Sequence, residues 1–223
     1  MLVWVGIIAF ILAAGLSLRW TQKRYDALGR ALGFPMISVG LCLVVGLGSE
    51  VPVGLHARTE HRLGVAASAI GGSKDTVHCQ TLGQAAIDMG PELGYVKFGA
   101  NGVPEHHALI KIQQCHLISK WMSSDHRHPS RDEVIAVHVL THETMHMSGT
   151  TDEAVTDCRA MQRDAAMARK LGADPADALA LAVRYWHEVY PDMPDAYRTA
   201  ACAPGGSLDE HRPDAPWVEP AAS

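Results

Sequence analysis

Residues 139–158 read VLTHETMHMSGTTDEAVTDC, a stretch that joins the end of one predicted helix to the start of the next. Gly149 is placed to end the first helix, and a threonine after it can cap the second. His142 and His146 are four residues apart on the first helix and therefore lie on one face. Two imidazoles at this spacing can bind one metal ion, and Glu143 projects beside them. The stretch therefore predicts two helices joined by a short turn, with a metal-binding face on the first.

Helix and strand signals surround this stretch. Ser130 with Glu133 three residues later forms a capping box, which starts the helix that runs to Met147. Two more helices follow, and their expected ranges are 152–171 and 174–190. Upstream, short extended segments separated by turn residues predict a small sheet. These segments lie at residues 77–79, 93–98 and 108–112.

The N-terminal quarter predicts a membrane anchor, because two runs without charged side chains are each long enough for a helix that crosses a bilayer. We expect transmembrane helices at residues 2–18 and 31–48. The loop between them is basic, which places it in the cytoplasm and the rest of the chain outside. Its basic residues are Arg19, Lys23, Arg24 and Arg30. Alternatively, the second run is a signal-anchor or is cut near Gly48, which delivers the chain to the same side.

The chain divides into four expected segments. Residues 1–49 form the anchor, and residues 50–75, rich in Gly, Ser, Ala and His, form a linker. Residues 76–202 form a small, mainly helical domain with a minor sheet, and residues 203–223 form a flexible tail. The predicted fold class is α+β, with the two transmembrane helices preceding the domain.

The cysteines agree with an oxidising compartment. Cys42 lies in the second apolar run, while an even number of cysteines falls in the outer part. These are Cys79, Cys115, Cys158 and Cys202. Three disulfide pairings are possible, and we favour sequential pairing.

Composition excludes two classes of protein. The chain has 223 residues, of which 48% are hydrophobic and 19% charged, with a net charge of −5. A nucleic-acid binder normally shows a basic excess, so we expect no nucleic acid as partner. The apolar content also argues against wholesale disorder. Thirteen histidines are many for this length, and histidine is the commonest metal ligand.

The segment resembles the zincin metallopeptidases, and two of their patterns overlap in it. Residues 142–152, HETMHMSGTTD, resemble the HExxHxxGxxD form of metzincin-like enzymes, which implies Asp152 as third metal ligand. Residues 152–157, DEAVTD, are similar to the NExxSD-type helix of gluzincins. That likeness implies Glu153 as ligand and Asp157 as the group that orients a ligand histidine. We favour Glu153, because it also explains Asp157, whereas Asp152 suits a helix start.

The resemblance implies a membrane-anchored, outward-facing zinc metallopeptidase, a hydrolase of peptide bonds with a zincin-like domain. His142, His146 and Glu153 would bind Zn²⁺, and Glu143 would be the general base toward a metal-activated water. Small membrane-anchored bacterial proteins with an HExxH core are also similar. The substrate would be a peptide or protein, at a multi-pass cell-membrane location with the C-terminal domain extracytoplasmic. The alternative is a non-catalytic envelope binding protein with a structural or adventitious metal site.

Other polar residues have simpler interpretations. His138 lies one turn before His142, and we expect it in the core or supporting the metal ligands. Four loop histidines are expected in solvent; they are His106, His107, His126 and His128. A zincin-like site also needs a donor for the oxyanion, and four residues on or after the last helix are open candidates. They are Tyr185, His187, Tyr190 and Tyr197.

Overall fold

The computed structural model describes residues 2–88 and 90–217. Within them the chain is α+β, with eight α-helices and one three-stranded sheet. It forms two compact units, Met1–Arg58 and Thr59–Ser223. In chain order the helices and strands are α1 (Leu2–Gln22), α2 (Met36–Gly71), β1 (Thr76–Cys79), α3 (Leu82–Ala85), β2 (Gly94–Phe98), β3 (Pro104–Ile110), α4 (Ile112–Met122), α5 (Arg131–Met147), α6 (Glu153–Met161), α7 (Asp164–Leu171) and α8 (Pro175–Glu188). Two short 3₁₀ turns follow, at Tyr190–Asp192 and Asp195–Tyr197.

Helix α1 covers the expected segment 2–18, whereas α2 begins at Met36, so residues 31–35 of the second expected segment are not helical. Pro35 disfavours helical backbone at the residue before it. Each helix is long and apolar enough to cross a membrane by length and composition. The basic connection between them contains a turn in which Asp26 Oδ1 accepts hydrogen bonds from the amides of Leu28 and Arg30. Cys42, in α2, carries no disulfide.

The expected linker over residues 50–75 needs correction, because α2 continues without interruption to Gly71. Its last turns carry Leu63, Ala66 and Ala67, which are buried in the core of the second unit. Alanine and leucine favour helix, and small side chains let a helix pack closely. Residues 50–71 are therefore helical although their hydrophobic periodicity is weak. The second unit therefore starts at Thr59 rather than at residue 76.

The expected small sheet is confirmed. Its strand order is β1-β3-β2, with β1 parallel and β2 antiparallel to β3. One face is apolar, because alternate residues such as Val77, Ala108 and Ile110 point into the core. β2 lies at one edge, so among the described residues its outer side has no strand partner.

Helix α5 is the centre of the second unit and packs against α4, α6, α7, α8, β2 and β3. The capping box predicted for it is present: Ser130 Oγ accepts from the amide of Glu133, whose side chain accepts from the amide of Ser130. Gly149, at φ +99°, follows its C-terminal end in a conformation that favours glycine.

The helix expected over residues 152–171 is divided into α6 and α7 by a bend at Gln162. The buried amide of Gln162 donates hydrogen bonds to the carbonyl oxygens of Cys158 and Leu208, at 3.1 and 2.9 Å. The bend directs α7 so that Asp164 reaches His138 on α5. The turn between the two helices thus coincides with a side-chain contact to a residue distant in sequence.

The sequential disulfide pairing is confirmed. Cys79 on β1 is bonded to Cys115 on α4, and Cys158 on α6 is bonded to Cys202. The expected flexible tail is wrong for residues 203–217, which fold back on the domain and bury Ala215. Residues 218–223 of that expected tail lie outside the described residues.

Candidate metal centre

Three side-chain donor atoms converge between α5 and α6. His142 Nε2 lies 3.0 Å from His146 Nε2 and 3.1 Å from Glu153 Oε2. The distance from His146 Nε2 to Glu153 Oε2 is 3.4 Å. Both histidines are buried, whereas the carboxylate of Glu153 is partly exposed. These three residues form a group that could hold a metal ion.

The spacing of this group fits a small tetrahedral cation. Zinc bonds of about 2.0–2.1 Å at tetrahedral angles separate neighbouring donor atoms by about 3.3 Å. The three observed distances bracket that value. Two imidazoles and one carboxylate are also ligands that zinc commonly takes, with a further position left open. The donor set therefore fits zinc.

Each imidazole is oriented by an acceptor at its other nitrogen. His146 Nδ1 donates to the carbonyl oxygen of Thr150 at 2.8 Å, so its Nε2 keeps a lone pair for a metal. His142 Nδ1 lies 3.5 Å from Asp157 Oδ1. A carboxylate behind a ligand histidine is the usual arrangement in metal sites. Asp157 thus lies where it could orient the ring of His142.

Asp152 and Glu153 have different roles in the structure. Asp152 is the N-cap of α6, and its side chain accepts from the amide of Val155 at 2.9 Å. Glu153, one residue later, turns its carboxylate toward the two histidines. The carboxylate of Asp152 is therefore already used as a helix cap, and the donor group contains Glu153.

The donor group contains a carboxylate whose pKa is lowered and an imidazole whose pKa is raised. Contact with His142, and next with His146, lowers the pKa of Glu153 to about 2, so this carboxylate is ionised. Burial by itself lowers the pKa of His142, but hydrogen bonds to Asp157 and Glu153 outweigh it and raise that pKa to about 8. Without a metal, the site therefore holds a proton on His142 at neutral pH.

Glu143 lies beside the donor group but is not part of it. Burial raises the pKa of its carboxyl group to about 7. Its Oε2 atom is buried and has no hydrogen-bond partner among the described residues. Gly94 on β2 lies so close that a β-carbon there would be 3.1 Å from Glu143 Cγ. The glycine thus lets the edge strand approach a carboxyl group that has one oxygen without a hydrogen-bond partner among the described residues.

A second group of donors lies behind the first and shares His142 with it. His138, His142 and Asp157 are all buried and could also hold a metal ion. His138 is already bonded at both nitrogens, to Asp157 Oδ1 at 2.9 Å and to Asp164 Oδ2 at 2.8 Å. Burial lowers the pKa of His138, but the two carboxylates outweigh it and raise that pKa to about 10. His138 is thus buried in the core, as the sequence analysis expected.

A cavity of about 400 Å³ opens onto the first donor group. Its walls come from β2, from α5 and from the segment around Met193, Pro194 and Tyr197. An adjoining cavity of about 260 Å³ is lined mainly by apolar side chains, among them Ile135 and Val189. Leu93, Val139 and Met193 line both cavities, so the two are neighbours along α5.

Of the four candidate oxyanion donors, the structure brings Tyr197 to the site. Its ring centroid lies 5.8 Å from that of His142, and it lines the larger cavity. Tyr185 is instead buried against His138, and Tyr190 OH accepts a hydrogen bond from the amide of Thr199. His187 lies near Trp186, outside the cavity lining. Sequence position alone could not separate these four residues.

The four histidines expected in loops lie away from the donor group, but His106 and His107 are on β3 rather than in a loop, and His107 is only partly exposed. His128 is exposed, as expected. His106 Nδ1 is 3.0 Å from the buried Asp75, and the ring of His107 packs against that of His78. His126 packs against Trp121 and is only partly exposed, so the expected solvent position is incomplete for this residue. None of these histidines lines the larger cavity.

The walls of the cavity contain residues that sequence reasoning missed. Gly94 and the 193–197 segment were not candidates, because neither carries a metal-ligand pattern. Both are recognised only in the folded structure. The backbone of Gly94 lies close to Glu143, and residues 193–197, which follow α8, lie at the cavity wall. No protein-family model, curated protein or solved structure matches the chain in the comparisons made with it.

Proposed function

We propose that this protein is a zinc-dependent peptidase, anchored in the membrane with its catalytic domain outside the cytoplasm. One observation carries the proposal: a buried glutamate with a free carboxylate oxygen stands beside three converging zinc-type donors, at the wall of an open cavity. A purely structural metal site needs ligands but has no use for such a carboxylate.

The residues that would hold zinc are His142, His146 and Glu153. A zinc ion bound there supplies Lewis acidity, which lowers the pKa of a water molecule and polarises a carbonyl group. The chain contributes the orientation of both imidazoles, through Thr150 and Asp157. It also contributes a wall that limits access of bulk water, since both histidines are buried.

Glu143 is the proposed general base. A carboxyl group with a pKa of about 7 can take a proton and give it up again near neutral pH. Its free Oε2 atom would accept the proton of the attacking water and then pass it to the leaving amine. The burial that raises the pKa of Glu143 would therefore favour both steps, uptake of a proton from water and its delivery to the amine.

The edge strand β2 suits an extended peptide as substrate. Its outer side lacks a strand partner in the described part of the chain, and residues 94–96 and Phe98 line the cavity. An extended segment can add to such an edge through main-chain hydrogen bonds. The adjoining apolar cavity would then receive a bulky apolar side chain of the substrate.

Tyr197 is the proposed donor to the oxyanion. Burial, followed by the charge of Glu153, raises its pKa above the ordinary value, so the hydroxyl keeps its proton at neutral pH. A protonated hydroxyl at the cavity wall can donate a hydrogen bond to a carbonyl oxygen as negative charge develops there.

The location follows from two features taken together. Helices α1 and α2 are long and apolar enough to span a bilayer, and the two disulfides are compatible with an oxidising compartment. The basic loop between the helices then favours a cytoplasmic loop and an extracytoplasmic domain. Peptides or proteins outside the membrane would be the substrates.

The second candidate function is that of a non-catalytic envelope binding protein with a structural metal. The buried group formed by His138, His142 and Asp157 favours it, because a metal held there would be shielded from solvent. In this case Glu143 would have no chemical role, and its substitution would leave the function unchanged.

The test compares the full-length chain with its Glu143→Gln variant, both purified in detergent and loaded with zinc, on a library of unstructured peptides. We expect the wild type to cleave and the variant to lose about 100-fold or more in rate while keeping its zinc. Glu105→Gln, which changes an exposed glutamate outside the cavity, is the matched control. Equal cleavage by wild type and Glu143→Gln, or none by the wild type, would contradict the proposal.

A further inference from the structure

A buried chain of hydrogen bonds extends from His142 away from the ligand group. His138 contacts a carboxylate at each ring nitrogen, Asp157 Oδ1 at 2.9 Å and Asp164 Oδ2 at 2.8 Å. Both ring nitrogens of His138 thus contact carboxyl oxygens, and a protonated ring would donate a hydrogen bond to each. Asp157 Oδ1 then lies 3.5 Å from His142 Nδ1. The chain thus runs from Asp164 through His138 and Asp157 to a proposed zinc ligand.

The hydrogen-bond chain is buried, although His138 and Asp157 also line the larger cavity. The side chains of His138, Asp157 and Asp164 are at most 4% exposed. The ring of Tyr185 stacks on His138 at a centroid distance of 3.5 Å, and its hydroxyl donates to Asp157 Oδ1 at 3.2 Å. A buried cation between two carboxylates is costly to desolvate and is stable only when its hydrogen bonds are well formed. Its geometry is therefore tightly constrained.

The hydrogen-bond chain, together with Tyr185, joins four helices. His138 is on α5, Asp157 on α6, Asp164 on α7 and Tyr185 on α8. The zinc-type donors come from two of these helices, because His142 and His146 are on α5 while Glu153 is on α6. Any change in the spacing of α5 and α6 would open the donor triangle. A network that fixes this spacing thus acts on the metal site without touching the metal.

We propose that Asp164, His138 and Asp157 form a positioning chain that orients His142 and fixes the spacing of α5 and α6, and thereby sets the affinity for zinc. This inference rests on the proposed function only through its metal site. Hydrogen-bond partners of ligand histidines typically change metal affinity by about 10- to 100-fold when they are removed. His138 and Asp164 act one and two steps further away, through Asp157.

The competing arrangement places the metal among His138, His142 and Asp157. His138 would then be a ligand, and its two hydrogen bonds to carboxylates would have to be replaced. The two arrangements predict different variants to be the damaging ones. In the positioning chain, Glu153 is essential for metal binding and His138 modulates it; in the competing arrangement these roles are exchanged.

The test measures zinc affinity by chelator competition for the full-length chain in detergent. His138→Gln and Asp164→Asn should each weaken binding about tenfold. They should also shift the visible spectrum of the Co²⁺-substituted protein, because the geometry at His142 changes. Asp75→Asn is the matched control, since Asp75 is likewise a buried aspartate that contacts a histidine, His106, but it is not part of the chain to His142. We expect it to bind zinc like the wild type.

A measurement on the unaltered protein covers the case in which a variant fails to fold. In a nitrogen-labelled sample, His138 should show two ring N–H resonances that exchange slowly with solvent, one for each carboxylate contact. Both should shift when zinc is added, because His142 is coupled to His138 through Asp157. A single N–H resonance, or two that do not respond to zinc, would overturn the proposal.

The outcomes separate this inference from the proposed function. If the wild type binds zinc and both folded variants bind it equally well, the positioning chain is wrong and the peptidase proposal stands. If His138→Gln abolishes binding while Glu153→Gln does not, the metal belongs to the competing arrangement. If the wild type binds no zinc, the metal site itself is absent and both proposals fall.

Discussion

At the scale of single residues, neighbouring side chains of the site differ in role. Two histidines and one ionised carboxylate are the proposed metal ligands, and a second carboxyl group is the proposed general base. His142 and His146 present Nε2 because their other nitrogens face Asp157 and the carbonyl of Thr150. Glu153 is ionised and faces the two rings, while Glu143 is buried with a raised pKa. Two glutamates within one site thus differ in protonation because their surroundings differ.

Tyr197 gives a prediction about transition-state stabilisation. Tyr197→Phe removes the hydroxyl but keeps the ring that lines the cavity. We expect kcat to fall about 100-fold with little change in KM, because the hydrogen bond forms mainly in the transition state. Steady-state kinetics on one cleaved peptide will measure both constants. A change confined to KM would instead place Tyr197 in substrate binding.

His142 gives a prediction about pH. In the metal-free protein its pKa is raised to about 8, so below that pH a proton competes with zinc for the imidazole. The apparent zinc affinity should therefore rise about tenfold per pH unit as pH approaches 8 and then level off. Titration with zinc at several pH values checks this. An affinity that is flat between about pH 6 and pH 8 would mean that His142 is not a ligand.

At the scale of elements, the start of α6 distinguishes the two ligand assignments that the sequence left open. Asp152 caps the helix through the amide of Val155. Asp152→Ala should therefore lower the free energy of unfolding by about 1 kcal/mol and leave zinc bound. Glu153→Ala should have the opposite profile, with zinc lost and little change in the stability of the metal-free chain. Thermal unfolding and metal analysis of the two variants decide between them.

The helix that carries the histidines could be predicted because its signals are local. The capping box of Ser130 and Glu133, the glycine after Met147 and the four-residue spacing of the histidines all depend on neighbours in sequence. Strands β1 and β2 and the second half of β3 were likewise marked by short extended segments, whereas the polar first half of β3, residues 104–107, was not predicted.

Other elements depend on contacts between distant residues, and their sequence signals were weak. Gln162, between α6 and α7, donates a side-chain hydrogen bond to the carbonyl oxygen of Leu208, and the buried Asp164 contacts His138. The last turns of α2 are stabilised by burial of Leu63 rather than by a periodic pattern. Tertiary contacts override local propensity in such places. The third metal donor could be predicted from sequence only as a choice between the adjacent Asp152 and Glu153.

At the scale of the whole second unit, the C-terminal segment holds the helix that carries Glu153. Cys202 is bonded to Cys158 in α6, and the amide of Glu210 donates to Gln162 Oε1 at 2.8 Å. The side chain of Glu210 also pairs with Arg159, which donates to Thr150 Oγ1. The segment after α8 thus supports α6 and the turn whose carbonyl orients His146.

This architecture predicts that the two disulfides differ in their effect on the metal. Removal of either, as Cys79→Ser with Cys115→Ser or Cys158→Ser with Cys202→Ser, should lower the free energy of unfolding by about 2–4 kcal/mol. Only the second pair should also weaken zinc binding, by about tenfold, because it releases α6 from Cys202. Chemical denaturation and chelator competition measure the two effects. Equal zinc affinities in both double variants would contradict the role given to the C-terminal segment.

The most direct test of the account is the amount of zinc bound by the purified full-length chain, compared with its His142→Ala and Glu153→Ala variants. We expect about one zinc per chain in the wild type and none above background in either variant. Substitution of an exposed histidine outside the cavity, such as His128→Ala, should leave the stoichiometry unchanged. A folded, disulfide-bonded wild type without zinc, or variants that keep it, would contradict the metal centre on which the proposed activity depends.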